Sequence, residues 1–256
     1  LTFADFATTT ARLRAAGCIA AEEEAAELIR AAAGRQSRLE TLLTRRCTGE
    51  PLAWLIGSVT FCGQPVLVDP GVFVPRWQSE PLALEAAARL PEHGLAVDLC
   101  TGSGAVAAVL ARRRPLATVL ATEIDPPAVA CARSNGVQVF QGEMAAALPA
   151  AIKGAVDVVT AIVPYVPTSQ LRFLPRDVTA YEPRRALDGG PGGTRWLRRA
   201  VLAAATLLRP GGSLLLELGG DEAERLRPLL LARGYQDSEL HFDEDGDLRG
   251  LFCRLG

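Results

Sequence analysis

The chain has 256 residues, 49% of them hydrophobic, and its 27 basic and 29 acidic residues give a formal net charge of -2. That length suits one large domain, or a standard domain with a small one attached, and the apolar fraction excludes a disordered chain. The near-balanced charge lacks the clustered basic footprint of a nucleic-acid binder, so no direct nucleic-acid partner is expected.

In residues 2–48, Phe6 and Leu13, then Ile19, Ala26 and Ile29, fall near helical spacing, with Gly17 and Gly34 as breaks. Residues 1–50 are therefore expected to form an N-terminal helical domain, too small to stand alone and packed on the rest. Residues 51–75 change character and read as a β-hairpin linker. Its strands cover 58–61 and 65–68, joined through Cys62-Gly63-Gln64, and the tight turn Asp69-Pro70-Gly71 follows. A helix is predicted over 77–90. From 95 onward, strands at 95–99, 118–123, 137–141, 156–163, 213–218, 239–242 and 250–255 alternate with helices at 104–113, 126–134, 196–208 and 221–233. This alternation predicts an α/β domain over 76–256, with a mostly parallel, Rossmann-like seven-stranded sheet covered by helices on both faces.

No basic-then-apolar leader pattern and no apolar run of about 18 residues is present, so a cytoplasmic location without membrane contact is expected. The six cysteines have neither metal-type spacing nor the layout of a disulfide framework. They read as reduced thiols in a cytosolic protein, and no metal is expected.

Ligands of open α/β sheets bind beyond the carboxyl ends of the strands, near the switch in strand order. Asp98, Gly102, Glu123 and Ile162 all fall there. Gly102 and Gly104 follow a buried strand and open a helix, where glycine lets backbone approach a ligand. The pattern Gly102-x-Gly104-x-x-Ala107, with an acid further on, also fits a dinucleotide fingerprint. Two features favour S-adenosylmethionine (SAM). A carboxylate at Asp98 can accept from the methionine ammonium, whereas it would repel a pyrophosphate. Glu123, at a strand end running into Ile124-Asp125-Pro126, can accept both ribose hydroxyls. Gly142-Glu143-Met144 places an acceptor for the adenine amine and a side chain for the ring face. Cys100 and Thr101 lie within the same glycine turn.

With these residues the chain resembles the protein-glutamine methyltransferases that modify peptide-chain release factors, the HemK/PrmC type. The likeness runs from about residue 45 to 256. It is carried by Gly49-Glu50-Pro51-Leu52-Ala53-Trp54-Leu55-Ile56-Gly57 with Phe61-x-Gly63, by Val74-Pro75-Arg76-x-x-Ser79-Glu80, by Tyr181-Glu182-Pro183-Arg184-x-Ala186-Leu187-Asp188-Gly189-Gly190, and by Leu208-x-Pro210-Gly211-Gly212 with Glu217-Leu218-Gly219. The resemblance implies a class I SAM-dependent methyltransferase that yields S-adenosylhomocysteine and has a release factor as partner. It also implies an Asn-Pro-Pro-Tyr or Asn-Ala-Pro-Tyr motif after the fourth strand. This chain has Ile162-Val163-Pro164-Tyr165 there. An amide nitrogen is a poor nucleophile because its lone pair is delocalised. In the family, the Asn oxygen and the next carbonyl accept from the amide hydrogens and orient the nitrogen. Val163 keeps a carbonyl; Ile162 offers no polar side-chain atom. Three outcomes stay open: slower methylation of a release-factor glutamine, methylation of a different, small-molecule acceptor, or SAM binding without turnover.

Ile162, Val163, Pro164 and Tyr165 are thus the candidate catalytic segment, with Tyr165 able to meet a sulfonium through cation–π attraction. Val166, Glu182, Pro183 and Arg184 are candidates for acceptor binding, with Glu182 and Arg184 expected to form an ion pair. Arg76 and Ser79 are candidates for the SAM pocket, with Ser79 expected to cap a helix. Asp188-Gly189-Gly190 reads as a turn.

Overall fold

Ala-rich helical spacing gives three N-terminal helices, Phe3–Ala15 (α1), Ala21–Ala32 (α2) and Gln36–Cys47 (α3), in a computed structural model that describes residues 3–256. The first two residues of the predicted N-terminal segment lie outside the described residues. The buried stripe of α2 is Ala21, Ala25, Leu28 and Ala32, which joins Leu13 and the Leu39, Leu42 and Leu43 face of α3. Against expectation, Ile19 is fully exposed and Ala26 and Ile29 are only half-buried. Ile19 falls in the connector between α1 and α2, where no helical face exists to bury it.

A short helix, Leu52–Ile56 (α4), precedes the hairpin strands Ser58–Phe61 (β1) and Gln64–Leu67 (β2). Phe61 pairs with Gln64, so the turn is only Cys62 and Gly63, both at positive φ (50° and 73°). Two-residue hairpin loops of this kind match the strand twist, and this pulls Gln64 out of the predicted turn and into the strand. Phe61 and Val66 join the core of the large sheet, while Val68, Val72 and Val74 pack with Trp54. Trp54 Nε1 donates to the Val72 carbonyl at 2.9 Å.

After a short 3-10 turn the chain continues through Glu80–Arg89 (α5), Leu95–Leu99 (β3), Ala105–Arg113 (α6), Thr118–Glu123 (β4), Pro126–Ser134 (α7), Gln138–Gln141 (β5) and Val156–Ala161 (β6). It then runs through Arg176–Tyr181 (α8), Arg195–Leu207 (α9), Leu208–Glu217 (β7), Glu222–Ala232 (α10), Tyr235–Phe242 (β8) and Leu248–Leu255 (β9). The seven-stranded sheet has the order β5-β4-β3-β6-β7-β9-β8. The pairs from β5 to β7 are parallel, and β9 is antiparallel to both β7 and β8. Such a sheet needs apolar runs because both faces are covered. Leu214, Leu215 and Leu216 of β7 are accordingly inaccessible to solvent. Side chains of α5 and α6 cover one face, and those of α9 and α10 cover the other. The strand order reverses between β3 and β6, which opens a crevice above their carboxyl ends. Among the described residues no helix is long and apolar enough to cross a membrane.

The helical layer is tied to the acceptor side of this crevice. Arg46 is 10% exposed and holds Glu24, 12% exposed, through Nε at 2.6 Å and Nη2 at 2.9 Å. Arg46 also donates to the Glu50 carbonyl and faces Asp177 of α8 at 3.9 Å. The Tyr181 hydroxyl lies 3.1 Å from Thr48 Oγ1, with its ring edge-on to Trp54. Arg46→Met leaves Glu24 without its partner. The expected loss is about 3 kcal/mol of unfolding free energy, the lower end for broken buried pairs because both side chains keep some solvent contact. It is read as a reduced midpoint in urea.

Candidate active site

Above the switch point lies a cavity of about 980 Å³ that reaches from the strand ends to the α1–α2 connector. Glu123, the last residue of β4, organises its floor. Its carboxylate accepts from the backbone N–H groups of Gly102 (2.9 Å), Ile124 (2.8 Å) and Asp125 (2.9 Å). One side chain thereby fixes the β3–α6 and β4–α7 turns to each other.

Asp98, in β3, is 2% exposed and accepts from Thr101 Oγ1 at 2.5 Å and Thr160 Oγ1 at 2.7 Å. Burial pushes its pKa up to about 6, against the pull of the two hydroxyls. It opens into a recess of about 40 Å³, shared with Ser79, Thr101 and Ile162, whose walls at Cys100, Gly102 and Ile162 also face the main cavity. The two glycines of the turn separate in role. Gly102 has open space where a Cβ would sit. A Cβ on Gly104 would lie 2.8 Å from Val137 Cγ2 and 3.2 Å from Ala132, so Gly104 serves helix packing and borders neither space.

Cys100 and Met144 are non-glycine residues at positive φ (57° and 48°), and their sulfurs lie 3.9 Å apart. Burial pushes the Cys100 thiol up, so it is a packing group rather than a nucleophile. Glu143 is paired with Arg199 of α9, and the Trp196 ring, with Arg195 and Arg199 stacked on it, joins the cavity wall. Arg185 also faces the cavity and pairs with Asp125 at 3.1 Å. Sequence reasoning missed Trp196, Arg185 and Arg199. The signal for Trp196 and Arg199 was the Arg195-Trp196-x-x-Arg199 cluster opening a helix, and nothing in spacing connects it to residues 143–144; Arg185 was the unassigned position within the Tyr181–Gly190 segment.

The opposite wall begins where β6 stops at Ala161. Ile162, Val163, Pro164, Tyr165 and Val166 all line the cavity. The segment is held from behind by backbone bonds. Val166 N–H donates to the Leu187 carbonyl, Gly189 N–H to that of Val166 at 2.8 Å, and Thr168 N–H to that of Gly190. A Cβ on Gly193 would come 2.3 Å from the Tyr165 carbonyl oxygen, and one on Gly189 2.8 Å from Tyr165 Cα. Close approach to Tyr165 thus explains the glycines of this turn. The Tyr165 hydroxyl donates to Glu217 Oε1 at 3.1 Å, and Ser79 Oγ donates to Glu217 Oε2. Burial raises the pKa of both Tyr165 and Glu217.

Three expectations change. Ser79 makes no side-chain cap to α5, because its hydroxyl is spent on Glu217. Glu182 does not pair with Arg184. Its buried carboxylate turns back to Arg76 and accepts from Val74 N–H at 3.4 Å, leaving it outside the cavity wall. Arg184 points outward, 72% exposed, and meets Asp188 at 3.3 Å. Of the other candidates, Arg76, Ile124, Asp125, Glu143, Met144 and Pro183 line the main cavity. Glu217 now joins them; its sequence signal was the Glu217-Leu218-Gly219 match, with no role attached.

No family model matches the chain. It is 36% identical over 221 residues to the release factor glutamine methyltransferase of Geobacter sulfurreducens, covering 84% of this chain and 77% of that one. It is 39% identical over 224 residues to the enzyme of the same name from Moorella thermoacetica, covering 83% and 76%. A 4-amino-L-phenylalanine/4-methylamino-L-phenylalanine methyltransferase of Streptomyces pristinaespiralis is 38% identical over 201 residues, covering 74% and 68%. Among solved structures, a T. thermophilus 16S rRNA methyltransferase in complex with AdoMet and guanosine aligns with a TM-score of 0.53 at 21% identity, over 78% of this chain and 44% of that one, which supports the fold alone. The chain belongs to the release factor glutamine methyltransferase family and is a SAM-dependent methyltransferase of class I fold.

Proposed function

We propose that the protein transfers a methyl group from SAM to the side-chain amide nitrogen of a glutamine in a peptide-chain release factor. The observation that carries this reading is one continuous cavity, lined on one side by Glu123, Gly102 and Met144 and on the other by the Ile162–Tyr165 segment. The donor fits the residues present. Gly102 leaves space for backbone approach, Asp98 is a buried carboxylate open to a recess, and Glu123 is locked in orientation by three N–H groups, with one acceptor site left on the oxygen that faces Gly102. Glu123 would hold a ribose hydroxyl and Asp98 the methionine ammonium, while Met144 and Trp196 would flank the adenine. Bound SAM supplies a sulfonium-activated methyl group. The chain's own task is then orientation: the Val163 carbonyl accepts one acceptor N–H, and the Tyr165 ring offers its face to positive charge.

Incubation with SAM and a bacterial release factor is expected to give S-adenosylhomocysteine and one methyl group on a glutamine, read by mass spectrometry. A modified residue other than glutamine sinks the reading. Ile162→Asn adds a directional acceptor to this wall and is expected to raise glutamine methylation, by at most roughly 100-fold if no other group already meets the amide hydrogen.

Asp98 gives a pH dependence. Only its ionised form attracts an ammonium, so SAM affinity is expected to be full above about pH 6 and to fall as pH drops through that value. The fall approaches about tenfold per pH unit if only the ionised form binds. Calorimetric titration at several pH values checks this, and Asp98→Asn should bind weakly with no such limb.

A second reading is favoured by Ile162 itself. An apolar wall beside the reacting position suits an aromatic amine, whose nitrogen lone pair is less tied up than an amide's and needs less orientation. Methylation of 4-amino-L-phenylalanine in preference to a release factor would select it.

A further inference from the structure

We infer that the Glu217 carboxylate accepts a hydrogen bond from the N–H of the methyl acceptor, standing in for the polar side chain that position 162 lacks. The inference rests on the reading that the acceptor atom is a nitrogen bearing hydrogen. Ala161 of β6 pairs with Leu216 of β7, so Ile162 and Glu217 leave the sheet side by side, and both line the cavity. Glu217 is 6% exposed. One of its oxygens receives the Tyr165 hydroxyl and the other that of Ser79. A carboxylate offers about four lone-pair sites, so each oxygen keeps capacity for one more donor. The neighbouring cations are engaged elsewhere: Arg76 is paired with Glu182, and Arg249 with Asp243 and Asp247. Glu217 is thus a buried carboxylate with unused acceptor capacity and, among the described residues, no ion pair of its own, next to the wall where an acceptor nitrogen must arrive. Buried groups of this kind call for donors.

The consequence is selectivity. An amide or aromatic amine brings an N–H to Glu217, whereas a carboxylate or phosphate acceptor meets repulsion. Ile162 contributes shape and Glu217 contributes the polar contact, so two neighbouring strand ends share the work of one Asn.

The test is a double-mutant cycle with SAM and a release factor. Glu217→Gln keeps side-chain size but turns an N–H donor or a neutral oxygen toward the acceptor, and is expected to lower kcat/KM roughly 100-fold. In the Ile162→Asn background, where a second oxygen serves the same N–H, the loss should shrink to under about tenfold. Equal losses in both backgrounds would mean that Glu217 only anchors Tyr165, and would overturn the inference. If neither the unaltered protein nor Ile162→Asn methylates a release factor, the glutamine reading fails and the role of Glu217 is read without turnover. Crystals of the unaltered protein with S-adenosylhomocysteine, soaked in acetamide as an amide probe, should place its nitrogen within about 3.2 Å of the Glu217 carboxylate. Acetamide absent from that position overturns the inference whatever the natural acceptor is.

Discussion

One carboxylate fixes the geometry on which the rest of the crevice depends. Glu123 gathers three backbone N–H groups from two different turns, so the end of β4 and the glycine turn after β3 cannot move independently. Charge-assisted bonds of this kind are short and strong. They occupy three of about four acceptor sites of the carboxylate, which leaves it able to receive one hydroxyl. The same device recurs nearby. Asp98 is held by two Thr hydroxyls and Glu217 by Ser and Tyr hydroxyls. Each acid sits at or near a strand end, is held by neutral donors, and keeps lone pairs facing an open space. Burial makes Asp98 and Glu217 costly to ionise, a cost the free protein carries to keep a preorganised site.

The second constraint acts on the opposite wall. The Tyr165 segment has no helix or strand of its own, so its shape is imposed from outside. Backbone bonds to residues 187–190 hold one side, and glycines at 189 and 193 allow contact distances that no side chain would permit. Glu182 extends this support by tying the same stretch to Arg76 and Val74. The N-terminal helices reach it too, through Arg46 toward Asp177 and through Thr48 to Tyr181. The helical layer is therefore tied to α8, which leads into the residues 187–190 that hold the Tyr165 segment.

Legibility in the sequence followed the range of the forces involved. Strands β3, β4 and β6 and the helices between them were readable because burial on two faces selects mostly apolar residues, as at Ala96 and Val97. The turn acids Asp98 and Glu123 were readable because their position relative to glycine is local. What failed was pairing between distant segments. Glu182 was matched with a neighbour two residues away, yet its partner Arg76 lies on a different loop more than a hundred residues earlier. Ser79 was given to its own helix for the same reason, although Glu217 claims it from across the sheet. Trp196 and Arg199 reach the cofactor side only because α9 crosses the back of the sheet and meets the turn at Met144. Even the shift of the α2 stripe away from Ile19 follows this rule, since local spacing cannot say where a helix starts.

The change at position 162 is then understandable as a change in one module. The donor side is built on the ends of β3, β4 and β5, and the acceptor wall on the ends of β6 and β7. Ile162 packs against the core cluster that includes Phe61 of the hairpin, so its apolar side chain is supported from below as well as facing the cavity. A polar side chain there would have to turn its amide toward the open side, whereas Ile satisfies both surroundings. Ile162 offers this wall no directional side-chain atom, while the Glu123 ties on the opposite side are made by the backbone N–H groups of residues 102, 124 and 125. Family membership rests on identity spread over more than 200 residues, and an apolar residue at one position of this wall is compatible with it.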